Sequence, residues 1–384
     1  MMPFNTDLSM RKYITGIIAI VWIAYFATGL FSCKKEQLPP THIIDTAVVS
    51  NNAGSANGTG TAASFNRPFG IAVDAAGNLY VADEGNDLVR KISSGAVVTT
   101  LAGMAGVPGA VNGMDTLASF NKPFGVAVDG SGNVYVADAG NNIIREITPA
   151  GLVSTFAGTG KTGASNGADT ASFNFPLSVA VDGSGNLYVA DYGNDLIRKI
   201  SPAGVVSTLA GSGAAGSDNG AGTAATFNLP ESVAVDVAGN VYVADNGNDL
   251  IRKITPDGTV STLAGSGTAG SANGTGTAAS FNSPFGIAVD AAGNVYVADS
   301  GNNLIRKISP AGAVSTFAGS GAKGAANATG SAASFSTPSG VAVDAQGNVY
   351  VADENNNLIR EITSAGVVTT LASRPAKGII KPGR

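Results

Sequence analysis

The chain has 384 residues, 44% of them hydrophobic and only 13% charged, with 52 glycines and a formal net charge of −5. This balance describes buried strands joined by small-residue loops and excludes a disordered tail as the bulk of the chain. It also argues against nucleic acid as a partner, because phosphate binding needs a clustered basic surface.

In chain order, residues 1–32 read as an export signal, with Arg11 and Lys12 ahead of an almost wholly apolar run from Ile14 to Leu30. Leu30-Phe31-Ser32-Cys33 resembles a bacterial lipobox, which implies that Cys33 carries lipid and becomes the first mature residue. An uncleaved signal anchor is the alternative, since the apolar run is long enough to span a bilayer. Cys33 is the only cysteine, so neither a disulfide framework nor a cysteine metal site is available. Residues 33–45, containing Lys34, Lys35, Glu36, Pro39 and Pro40, form a polar tether, and residues 374–384 a basic tail. Together these features predict an exported lipoprotein held at the outer membrane, on its periplasmic or cell-surface face, through its N-terminal lipid.

Between tether and tail, residues 46–373 repeat. The tripeptide Val-Ala-Asp recurs six times, with its aspartate at Asp83, Asp138, Asp191, Asp245, Asp299 and Asp353. The third copy shows the unit: Pro176 opens a strand ending Val179-Ala180-Val181-Asp182, followed by Leu187-Tyr188-Val189-Ala190-Asp191, Leu196-Ile197-Arg198-Lys199-Ile200 and Val205-Val206-Ser207-Thr208-Leu209. Each run is rich in Val, Ile, Leu and Tyr and is bounded by Gly-Asn or Gly-Asn-Asp turns, the pattern of four short strands. Both faces of most strands are apolar, as in a sheet sandwiched between neighbours. The terminal copies look like the middle ones, which disfavours an open solenoid with polar caps and favours a closed ring.

The segments Pro-x-Gly-Val-Ala-Val-Asp, Gly-Asn-Val-Tyr-Val-Ala-Asp and Asn-x-x-Ile-Arg-Lys-Ile resemble the NHL repeat, with Ser178 and Ser232 standing where other copies have the first glycine. The resemblance implies an all-β fold, a six-bladed β-propeller of four-stranded blades. A Gly-rich insertion precedes each Phe-Asn-x-Pro-like segment, and its Ala-Ala-Ser-Phe run is expected to form a helical turn between blades. Val48-Val49-Ser50 repeats the end-of-blade strand, while the sixth copy ends in its own Val367-Val368-Thr369-Thr370. The expectation is that the N-terminal segment closes the ring as a clasp.

In such a ring the connections from the fourth strand to the next first strand emerge on the same face as the second-to-third turns. These long connections are expected to hold most of the variable surface, where function is usually placed on a rigid scaffold. Residues common to every copy, including the six Val-Ala-Asp aspartates and Arg90, Arg145, Arg198, Arg252, Arg306 and Arg360, are assigned to the fold, because one active site does not need six copies. The aspartates ending the first strands, Asp74 and its equivalents, are expected to start tight turns.

Positions that break the symmetry are the candidates for a ligand site at the channel mouth. They are Glu84, Ala139, Tyr192, Asn246, Ser300 and Glu354 directly after Val-Ala-Asp, Arg67, Lys122, Phe175 and Leu229 before the repeat proline, and Phe69, Phe124, Leu177, Glu231 and Phe285 after it. The only histidine is His42, in the tether, which removes a Ser-His-Asp arrangement and a His-ligated zinc from the propeller. Gly160-Lys161-Thr162 imitates a phosphate-binding loop, but Thr155 stands where that motif requires glycine. The leading expectation is a non-catalytic module binding a protein or glycan on the loop face, with no cofactor. The alternative is a gluconolactonase-like hydrolase holding one divalent cation, Ca2+ for example, on Glu84, Glu354, Asn246 and Glu231.

Overall fold

In the computed structural model, which describes residues 53–372, the chain forms six antiparallel sheets arranged as a six-bladed β-propeller. Cys33, the expected export signal and tether, Val48-Val49-Ser50 and the basic tail lie outside the described residues. Blade 1 comprises Pro68–Val73, Leu79–Asp83, Leu88–Ile92 and Val97–Ala102, from the channel outwards, and the other five blades repeat this order. The innermost strands pack side by side round the channel, Pro68–Val73 lying against Pro123–Val128 on one side and Pro338–Val343 on the other.

The doubly apolar strands are explained by six hydrophobic clusters, one in each seam between neighbouring blades. In the closing seam, Leu79, Val81 and Ile92 of blade 1 meet Ala342, Ala352 and Ile359 of blade 6, while Tyr80 and Ala82 face Val126, Val134 and Val136 of blade 2. Each fully buried Val, Leu or Ile contributes roughly 1.5–3 kcal/mol. Single blades cannot bury both faces, so the stability of each depends on the ring.

The outermost strand of blade 6 is Val368–Ala372, from the sixth copy itself; the expected clasp, Val48-Val49-Ser50, lies outside the described residues. A repeated latch holds the seams. An Asp or Asn in left-handed conformation after the second strand accepts a hydrogen bond from the N–H preceding the next blade's proline. Asp87 Oδ1 receives Lys122 N at 2.9 Å, and at the closure Asn357 Oδ1 receives Arg67 N at 2.7 Å. The same chemistry thus joins residues 35 apart and residues 290 apart.

The long connections run along the outer wall: in the one leading into blade 1, Gly58 and Thr59 pair with Val98 and Val97 as a short fifth strand. Blades 1, 2, 4 and 5 carry such a strand, and in blades 3 and 6 single bridges, Gly167 with Val206 and Thr329 with Val367, take its place. The cause is the free edge of the outermost strand, whose backbone groups need partners and whose exposure invites aggregation. A 3-10 turn follows in five of the six copies, for instance Gly60–Ala62, just ahead of the residues expected to be helical. Ala63 and Phe65 are then fully buried between blades.

Beneath each mouth loop sits a polar network repeated in every blade. Arg90 is fully buried, donates to Asp83 Oδ2 at 2.8 Å, to the Ser64 carbonyl at 3.1 Å and to Asn57 Oδ1 at 2.8 Å, and lies 5.2 Å from the Phe65 ring centroid. Asp83 also accepts from Asn66 N and Asn86 Nδ2. All six blades repeat the Arg–Asp pair at 2.7–3.0 Å, with both side chains sealed from solvent. Asp74 caps its turn as expected, accepting from Ala76 N, Asn78 N and Tyr80 OH. Removing two charges from water is costly, and these hydrogen bonds offset it while leaving the buried Nε of each of the six arginines without a partner among the described residues.

Candidate functional site

The residue before each repeat proline has a positive φ without being glycine: 51° at Arg67, 53° at Lys122 and Phe175, 52° at Leu229, 49° at Ser283 and 51° at Thr337. This conformation is uncommon for such residues and persists only where surrounding bonds, here the seam latches, over-determine it. It turns the chain into the innermost strand at the rim of the channel. The residue after the proline then lines the mouth, giving a ring of Phe69, Phe124, Leu177, Glu231, Phe285 and Ser339.

A cavity of about 370 Å3 opens there, bordered by the candidate residues named from the sequence except Glu84, Ala139, Ser300, Lys122 and Leu229. Its aromatic wall is continuous. Phe69 meets Phe124 edge to face at 4.7 Å between ring centroids, Phe124 meets Phe175 at 5.5 Å, and Phe175 meets Tyr192 at 6.5 Å. On its other side Phe69 lies 5.8 Å from Phe285, although blade 6 separates their blades in the ring. Blade 6 offers the fully buried Ser339 at the matching position, small enough to leave the two rings in contact. The Ser339 hydroxyl lies 3.2 Å from the carbonyl oxygens of both Pro68 and Phe69, fixing the strand that carries the central ring.

The polar wall is divided between blades. Arg67 donates to Glu354 Oε1 at 3.0 Å and lies 3.4 Å from Glu84 Oε2, so one guanidinium fills the space between the two carboxylates of the closing seam. Both glutamates are buried, whereas Arg67 is half exposed. Burial raises the Glu354 carboxyl, hydrogen bonding and charge from Arg67 pull it back, and Glu84 raises it again. Glu84 stands behind Arg67 and does not reach the cavity. Asn246 turns its amide towards the Pro284 carbonyl at 3.2 Å, and Ser300, one blade further on, likewise donates to the Pro338 carbonyl.

Glu231 is different. It is 6% exposed and borders the cavity, yet no side chain or backbone N–H among the described residues is hydrogen-bonded to its carboxylate. Burial, with the charge of Glu354 added, pushes its carboxyl up to about 8. The Tyr192 phenol is raised as well, by burial first and then by Glu231 and Asp195.

The sequence located the ring of positions and missed two of its members. Arg67 was legible as a residue before a proline, but its part as the shared counter-ion of Glu84 and Glu354 was not. Thr337 and Ser339 were passed over because small polar residues carry no signal of their own. Among the described residues no three His, Cys, Asp or Glu side chains gather closely enough to hold a metal. Of the four ligands expected for a divalent cation, Glu84 and Glu354 are bridged by Arg67, and the Asn246 amide is turned to Pro284.

A family model for the NHL repeat matches residues 65–92, 120–145, 173–200, 227–254, 281–308 and 335–362. Each matched segment opens on the phenylalanine that lies under the buried arginine and contains its aspartate together with the mouth positions of its blade. The chain is 30% identical over 338 residues to the Bos taurus NHL repeat-containing protein 2, a match covering 76% of this chain and 46% of that protein. It spans less than half the length of the curated relatives it matches. Among solved structures, a Bacteroides thetaiotaomicron protein of unknown function superposes with a TM-score of 0.63 at 22% identity, covering 83% of this chain and 73% of the other. An auxiliary nutrient binding protein of the same species gives a TM-score of 0.59 at 15% identity, covering 80% and 70%. At these identities the structural likeness concerns the fold.

Proposed function

We propose that this chain, which belongs to the NHL-repeat β-propeller family, is a non-catalytic binding module whose ligand site is the aromatic cup at the channel mouth. The observation that carries this reading is the asymmetry of the cup. Six copies that agree in strands, turns and buried ion pairs diverge in this ring, and they diverge into a continuous run of five aromatic side chains opposite a polar wall. Clustered aromatics on a rigid frame supply large contact area at low entropic cost, as binding hot spots do. The Bacteroides thetaiotaomicron neighbour described as an auxiliary nutrient binding protein supports the same kind of role.

In this reading residues 1–32 direct export, Cys33 carries the lipid, and residues 33–45 tether the propeller at the outer membrane. A protein or glycan of the envelope then enters the cup. Two experiments test it. Labelled palmitate should enter the wild-type chain and be lost in Cys33→Ala; label retained in that variant removes the anchor assignment. A glycan array and a cross-linked capture from envelope extracts should give a ligand for the wild type that Phe124→Asp fails to hold, with an unchanged melting transition. Equal capture by the variant rejects the cup as the site. A divalent ion held tightly by chelator-free protein and lost in Glu354→Gln would instead favour a metal-dependent hydrolase.

A further inference from the structure

The cup has a charge imbalance that the fold leaves open. Glu231 and Glu354 border the cavity with Arg67 as the cation that lines it, and its guanidinium is committed to Glu354 and, behind it, Glu84; Lys122, at the matching rim position of blade 2, is exposed and does not border the cavity. Among the described residues, Glu231 is buried with no hydrogen-bond or ion-pair partner. An unpaired buried carboxylate costs several kcal/mol in its charged form. No strand or seam contact needs it, since the other five blades place Phe, Leu or Ser at the same position.

Resting on the binding reading above, we infer that the cup takes a cationic ligand, an ammonium or trimethylammonium group on a small apolar body, with Glu231 as its counter-charge. The aromatic wall suits this ligand on two counts. Phe124, Phe175 and Tyr192 offer apolar area, and ring faces attract a desolvated cation by their quadrupole. A volume of about 370 Å3 accommodates one ring and its ammonium group. An anionic ligand would meet net negative charge.

The groups facing Glu231 are Tyr192 from blade 3, Glu354 from blade 6 and, behind Glu354, Arg67 and Glu84 from blade 1. With its carboxyl raised to about 8, Glu231 holds a proton in the free protein at neutral pH. A bound cation favours the carboxylate, so association releases that proton to solvent.

The test is calorimetry on the full chain with three probes of similar size: benzyltrimethylammonium, benzyl alcohol and phenylacetate. The permanent cation should bind best, releasing close to one proton at pH 6.5 when buffers of different ionisation enthalpy are compared. Its affinity should rise roughly tenfold per pH unit from 5.5 to 7.5 and level off above about 8. Glu231→Gln should weaken the cation by roughly 1,000-fold at pH 8.5 and flatten the profile, leaving benzyl alcohol within about twofold. The wild-type pH profile stands even if that variant folds poorly. Equal affinity for alcohol and cation with a flat profile, or no binding of the cation at all, overturns the charge assignment. If Phe124→Asp still abolishes capture of the envelope ligand in that event, the binding reading survives; if it does not, both fall.

Discussion

Arg67 and Glu354 stand 287 positions apart in the chain and 3.0 Å apart across the closing seam of the ring. The contact exists only because blades 1 and 6 are neighbours, and it joins the backbone latch from Asn357 to Arg67 N at the same seam. Arg67 is half exposed, so solvent screens much of its attraction, while the two carboxylates it separates are buried. Arg67→Met should therefore cost roughly 1–3 kcal/mol, mainly from leaving two buried carboxylates side by side. Removing the guanidinium raises the Glu354 carboxyl further, so the stability involved is present at low pH and lost as pH rises. The deficit should be larger at pH 8 than at pH 5 in urea titrations, and a deficit independent of pH would show that the pair does not couple to folding.

The buried arginines make a sharper case. Arg198 donates to Asp191 at 2.7 Å, to the carbonyls of Ser172 and Ser165, and to Asn166 Oδ1, over the ring of Phe173. Arg198→Met strands a fully buried aspartate and should cost about 3–5 kcal/mol. Arg198→Lys should recover little of this, because an ammonium cannot reproduce the planar fork that reaches four acceptors. Denaturant midpoints of the two variants would check it, and near-wild-type stability in Arg198→Lys would mean that charge alone suffices.

The strands were legible because their residues carry a local signal: Leu187-Tyr188-Val189-Ala190-Asp191 is β-prone, bounded by turns and repeated at near-constant spacing. The course of the long connections was not, because Ser, Gly, Ala and Thr have no periodicity that distinguishes a mouth loop from a wall strand. Gly58 and Thr59 find their place through the unpaired edge of Val97–Ala102, a demand that exists only in three dimensions. Sequence symmetry put Phe69, Phe124 and Phe285 on one ring, but the contact of the first with the last depends on the smallness of Ser339. One departure remained visible without being used. Met104, Val107, Val111, Met114 and Leu117 replace small residues in the connection into blade 2 and are exposed on that wall.

Close approach of the innermost strands gives a third prediction. A Cβ on Gly340 would overlap the Phe69 carbonyl and come within 3.1 Å of the Gly70 Cα, both backbone atoms that cannot move aside. Gly340→Ala should force blades 6 and 1 apart and cost roughly 2–4 kcal/mol. Ser232 already carries a Cβ at the equivalent position, and its hydroxyl only shares a 3.3 Å contact with that of Ser178. Ser232→Ala should stay within about 1 kcal/mol of wild type. Thermal melts of the pair decide it, and similar losses in both would mean that the six seams are not packed to different tolerances.

Glu231 provides the last test, independent of any ligand. Its carboxyl is near 4.3 in an unfolded chain and is raised to about 8 in the fold, so the folded state binds the extra proton. For a group raised in this way, the favourable contribution is complete below the unfolded value and disappears as pH climbs through the folded one. Across that window wild type should lose up to about 1.4 kcal/mol per pH unit relative to Glu231→Gln, whose amide does not titrate. The variant should thus gain a few kcal/mol on wild type between pH 5 and pH 8 in urea unfolding. Parallel curves would mean that the carboxylate is paired or hydrated in the folded cup, and with that the case for an open counter-charge at the channel mouth would be lost.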